Sequence, residues 1–206
     1  MTMLRVSPRV AWLAFGLALV ALSASLAIRG EVSVWASTAT AGVIGIAATL
    51  ATTRIELRTS PRWIAIGVAS GLAMAIATHV LYPIGLALVP GLEREVLALY
   101  DELHAPPGPR AAVPLLLLVV LAEELVFRGL LVALLERWGV RRSAVLVAAI
   151  ALYTVPQIAG GSVVLIALAI ACGALWTWQR QLSGGIVVPL ITHALWDVIV
   201  FVLVPL

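Results

Sequence analysis

Residues 112–135 read AVPLLLLVVLAEELVFRGLLVALL, an apolar run interrupted only by Glu123, Glu124 and Arg128. As a helix rising about 1.5 Å per residue, it is long enough to cross the roughly 30 Å hydrocarbon core of a bilayer. Six further apolar runs flank it, at 10–28, 34–53, 63–88, 143–158, 162–178 and 186–204. The fifth and sixth spans in chain order are short and separated by Gly160-Gly161, which predicts a tight helical hairpin. Over its 206 residues the chain is 63% hydrophobic and 11% charged, with a mean hydropathy of +1.13. A soluble domain is about 45–50% apolar and about 25% charged. Water is therefore the wrong solvent for this chain, and a soluble enzyme, a disordered tail and a nucleic-acid-binding module are all excluded. The expectation is an all-α, multi-pass membrane bundle of about seven transmembrane helices, forming a single domain over 1–206. Its partners are then membrane lipids and not nucleic acid.

All thirteen basic residues are arginine, and they are unevenly placed. With the N-terminus inside, the inner segments hold Arg5, Arg9, Arg54, Arg58, Arg62, Arg137, Arg141, Arg142 and Arg180. The outer segments hold only Arg29, Arg94 and Arg110, so the positive-inside rule predicts N-in, C-out. The first run is long enough to span and is read as a retained helix rather than a cleaved leader. Trp12, Trp35, Trp63, Trp138, Trp176 and Trp178 are expected near helix ends as an aromatic belt, with Trp196 deeper. Between Pro90 and Arg110, Leu92, Val96, Leu99, Tyr100 and Leu103 recur at helical spacing among acidic residues. That pattern predicts an amphipathic helix in the membrane interface. The lone Cys172 excludes an intramolecular disulfide and a cysteine-cluster metal site.

Ionisable groups at bilayer depth cost at least about 2.5–3.5 kcal/mol each, so they are functional candidates by default. Besides Glu123, Glu124 and Arg128, the last run carries His193 and Asp197 in ITHALWD. Four-residue spacing puts Glu124 and Arg128 on one helix face within ion-pair reach, and likewise His193 and Asp197. Glu123 points about 100° away from Glu124 and has no partner on its own helix. Counted from the cytoplasmic ends, Glu123 and Asp197 lie at about 18 and 17 Å depth, and His193 at about 10 Å. A carboxylate and an imidazole converging in a water-accessible cavity suit activation of water and stabilisation of an oxyanion. Such residues also build proton relays, but no inverted repeat accompanies them here.

EELVFRG at 123–129 resembles the first motif of the CPBP family of CAAX proteases and bacteriocin-processing enzymes. ITHALWD at 191–197 is similar to its third motif. The resemblance covers about 111–206, the expected catalytic core, and it implies an intramembrane endopeptidase like the type II CAAX prenyl endopeptidase. It implies that Glu123 activates water, that Glu124 and Arg128 hold the site together, and that His193 and Asp197 support the oxyanion or complete the site. The implied substrate is a peptide or membrane-anchored protein: CAAX-like, bacteriocin-related or a C-terminal sorting tag. The implied location is a prokaryotic cytoplasmic membrane. The family has been described both as metalloprotease and as glutamic protease; this chain has no HExxH motif, and a divalent metal such as zinc stays open as cofactor. One departure concerns the second motif, an aromatic, three residues and a His. The equivalent stretch is Tyr153-Thr-Val-Pro-Gln157, with Gln in the His position. Gln cannot take a proton near neutral pH, although it can orient a water. A catalytically silent immunity or scaffold protein is the alternative that Gln157 raises. His79 is out of order for a replacement and is expected to be a satisfied or pore-lining residue.

Overall fold

The computed structural model describes residues 3–55, 57 and 59–206; Arg58, counted above among the inner arginines, lies outside them. Apart from a two-residue clip, where β1 (Met3–Leu4) pairs antiparallel with β2 (Thr53–Arg54), the chain is helical. Ser7 and Ser60 each accept from a main-chain N–H three residues on, ahead of α1 (Pro8–Ala27) and α3 (Pro61–Leu88). Each is followed by proline at the first helical position, where no N–H is needed. Between these two helices lies α2 (Val34–Thr52). Then come α4 (Leu92–His104), α5 (Val113–Glu123), α6 (Val132–Arg137), α7 (Arg142–Gly160), α8 (Val163–Ser183) and α9 (Val187–Val198). Gly161, with φ of 74°, turns α7 into α8, and Ser162 caps the latter.

Two departures from regular α-helix matter. Over Glu124–Leu131 the fourth apolar run widens into π-helix between α5 and α6, and Ile199–Leu203 does the same after α9. The first coincides with the charged residues of EELVFRG, and π-segments concentrate at functional sites. The fourth and seventh runs are therefore broken. Among the described residues, five helices are long and apolar enough to cross a membrane: α1, α2, α3, α7 and α8. A shorter apolar stretch covers Val187–Leu203.

The outward surface is apolar, with Leu13, Val20, Ile76, Val147 and Val163 all well exposed. A surface this greasy belongs against hydrocarbon. Inside, α3 lies against α9 because Gly67 and Gly71 carry no side chain. A Cβ on Gly71 would stand 2.9 Å from Leu195 Cβ and 3.0 Å from the Thr192 carbonyl. Helices without a hydrophobic driving force between them approach through such small residues. Phe127, Tyr153, Trp176 and Trp196 form the aromatic heart of the main core. Trp176 corrects the aromatic-belt expectation. The helix runs on to Ser183, where Gly184 ends it at a φ of 72°, so Trp176 is a core residue only 1% exposed. Trp35 is buried as well, its indole N–H donating to the Leu103 carbonyl.

Candidate active site

The ionisable residues of the fourth and seventh apolar runs meet. Glu123 ends α5, Glu124 and Arg128 lie in the π-segment, and His193 and Asp197 lie on α9. His193 Nδ1 stands 3.0 Å from Glu124 Oε1. A carboxylate only accepts, so Nδ1 carries the proton in this bond and Nε2 is left towards the other two acids. That Nε2 lies 3.6 Å from Asp197 Oδ2 and 3.9 Å from Glu123 Oε2. The imidazole is clamped from behind by Trp176, stacked at 3.6 Å with 18° between the rings.

Arg128 answers the charge of Glu124. Its NH1 lies 3.3 Å from Glu124 Oε1, with both side chains fully buried. That approach is off the hydrogen-bonding direction, and the guanidinium nitrogens have no hydrogen-bond acceptor among the described residues. Two aromatic faces compensate: Arg128 Cζ lies 4.4 Å from the Tyr153 ring centre and 5.3 Å from that of Trp176. Desolvated cation–π contacts of this kind are worth about 2 kcal/mol or more.

Glu123 is the acid that sequence periodicity left unpartnered. Its partner comes from α7: the Tyr153 hydroxyl donates to Glu123 Oε2 at 2.6 Å. Beyond this bond opens a cavity of about 120 Å³, lined by Glu123, Tyr153, Gln157, Cys172, His193 and Asp197 among others. Such a space holds several waters. Gln157 faces this cavity rather than lipid, one residue after the helix-interior Pro156. His79 does not join the site; its ring nitrogens sit 2.8 and 2.7 Å from the carbonyls of Ala75 and Val204. Tyr153 and Trp176 are the site residues that sequence reasoning did not assign. In the sequence Tyr153 stands only as a motif aromatic, and its hydroxyl is the available signal.

Among the described residues, no group of three or more His, Cys, Asp or Glu side chains is arranged to hold a metal ion. His193 Nδ1 is committed to Glu124 and Glu123 Oε2 to Tyr153, and the donor set as it stands among the described residues does not fit a metal. What the arrangement can do with its own groups is acid–base chemistry on a water in the cavity.

The model of the type II CAAX prenyl endopeptidase Rce1-like family matches residues 108–199. Over those residues the chain is similar to that family. The Rce1-like segment contains both EELVFRG and ITHALWD, in agreement with the CAAX-protease resemblance read from them. With its apolar helices and this similarity, the chain is an integral membrane protein. No curated protein and no solved structure matches the chain.

Proposed function

We propose that the chain is an intramembrane endopeptidase in which Glu123 is the general base that activates water. The observation that carries this reading is one cavity, roomy enough for water, that Glu123, His193 and Gln157 line together. In the proposed reaction Glu123 takes a proton from cavity water as its oxygen attacks the scissile carbonyl carbon. The resulting oxyanion is met by N–H donors, for which the Gln157 amide and a protonated His193 Nε2 are the candidates. Glu123 then returns the proton to the leaving amine as the C–N bond breaks. Glu124 and Arg128 hold the imidazole in place, and Asp197 supports it from its own helix.

The substrate is a membrane-associated peptide or protein: CAAX-like, bacteriocin-related or a C-terminal sorting tag. An apolar cavity of about 380 Å³ supports this, since Leu168, Cys172 and Trp196 line both it and the polar cavity. The arginine distribution supports seven spans oriented N-in, C-out, with α4 at the outer interface of a prokaryotic cytoplasmic membrane. In the test, Glu123→Ala abolishes cleavage while the protein is still expressed and keeps its Tm. Undiminished turnover in that variant overturns the glutamate-base assignment.

A second reading has an observation of its own. Gln157 lies on the cavity wall where the resemblance puts a proton-accepting His. A silent immunity or scaffold protein would keep its cellular phenotype in Glu123→Gln. Proteolysis gained in Gln157→His would mark the present chain as impaired.

A further inference from the structure

The Tyr153–Glu123 hydrogen bond is short, 2.6 Å, within the range of O–H bonds to a carboxylate oxygen. The phenol that makes it is held on every side. Phe127 and Trp176 meet its ring edge-on at 5.0 and 6.1 Å, and the Arg128 guanidinium covers its face. Room for the ring is made on α8 by Gly173, where a Cβ would stand 3.1 Å from Tyr153 Cδ1. A side chain so confined has no rotamer to change, and its single O–H proton is directed at one oxygen of one acid. Tyr153 is also four residues before Gln157, so one face of α7 presents both to the cavity.

We infer that Tyr153 is a positioning residue for the water-activating carboxylate. Its hydroxyl commits Oε2 and fixes the Glu123 rotamer, so that Oε1 is left to take the proton of the cavity water. The inference rests on the reading of Glu123 as the base. Holding a catalytic group within a fraction of an ångström matters because a displacement of about 1 Å can cost about 10²-fold in rate. Phenylalanine at this position keeps the ring and its contacts and removes only the bond.

The test uses the full chain in detergent with an internally quenched farnesylated peptide carrying a Cys-aliphatic-aliphatic tail. Wild type, Tyr153→Phe and Glu123→Gln are compared for kcat, KM and Tm. Tyr153→Phe is expected to lose about 10²-fold in kcat, with KM little changed. Its Tm should stay within about 4 °C of wild type. A purely structural role would lower Tm and leave kcat of the folded fraction intact, which overturns the inference. Wild-type kcat in Tyr153→Phe beside an inactive Glu123→Gln also overturns it, while the glutamate base survives. Wild-type turnover in Glu123→Gln removes the base reading and the inference with it. If the wild-type chain leaves this peptide uncut, the infrared carboxyl band of Glu123, assigned by its loss in Glu123→Gln, decides. A shift of that band in Tyr153→Phe supports the positioning bond, and an unmoved band overturns it.

Discussion

Arg128 is 0% exposed, and Glu124 beside it is equally buried. Removing one member of a buried pair leaves the other as an uncompensated charge, at a cost of about 3–5 kcal/mol. Arg128→Ala should therefore lose about that much stability, read from denaturant titration of helicity in detergent. The double change Glu124→Leu with Arg128→Met should recover most of it, because apolar groups of similar volume often replace a buried pair without loss. A single variant as stable as wild type would remove the structural role given to this pair. The pair was readable from its four-residue spacing, as was His193 with Asp197. The bonds between helices were not. His193 meets Glu124 across 69 residues and Tyr153 meets Glu123 across 30. Helical periodicity constrains faces within one helix and says nothing of which face of another helix it meets. Trp176 was misplaced for a related reason. A run of apolar letters ending at Trp178 hides a helix that continues through Gln179 and Arg180, both buried.

The fourth apolar run was legible as a membrane-depth element but not as a π-segment. Its widened turn is matched by a partner on another element: Arg180 Nε donates to the Arg128 carbonyl at 3.0 Å. A side chain on α8 thus fixes backbone in the run that carries the acids. On the other flank, α9 is placed by α3, and the close approach at Gly71 is against backbone as well as side chain. Gly71→Val should cost about 1–3 kcal/mol by overpacking. Because the clash falls on Thr192, next to His193, cleavage should fall in the fraction that remains folded. Gly85→Ala is the matched control. Its Cβ meets only Leu92 Cδ2, the far end of a flexible side chain, so stability should barely change. Equal losses in the two variants, by the same denaturant titration, would mean that contact with the Thr192 carbonyl is not what positions α9.

At the scale of the molecule, α4 ties distant parts of the chain together. The Tyr100 hydroxyl donates to the Val200 carbonyl, the Leu103 carbonyl accepts from Trp35, and Leu92 and Val96 line the larger apolar cavity. Its link to α8 is electrostatic: Glu95 Oε2 accepts from the Val164 N–H at 3.2 Å and from the Ser162 hydroxyl at 3.0 Å. A carboxylate on the N-terminus of a helix satisfies an orphan N–H and complements the helix dipole. Chiefly through the Val164 N–H, and against a smaller opposing effect of burial, the carboxyl is held below its usual 4.5. A group whose folded value is depressed contributes its stability fully above the unfolded value and loses it as pH falls through the folded one. The Tm difference between wild type and Glu95→Gln should therefore be constant above about pH 5.5 and shrink steadily below about pH 4.5. In Glu95→Gln itself this part of the acid dependence is gone, because an amide does not titrate. A Tm difference that persists unchanged down to about pH 3 would show that the charge of Glu95 is not what pins α4 over the cavity.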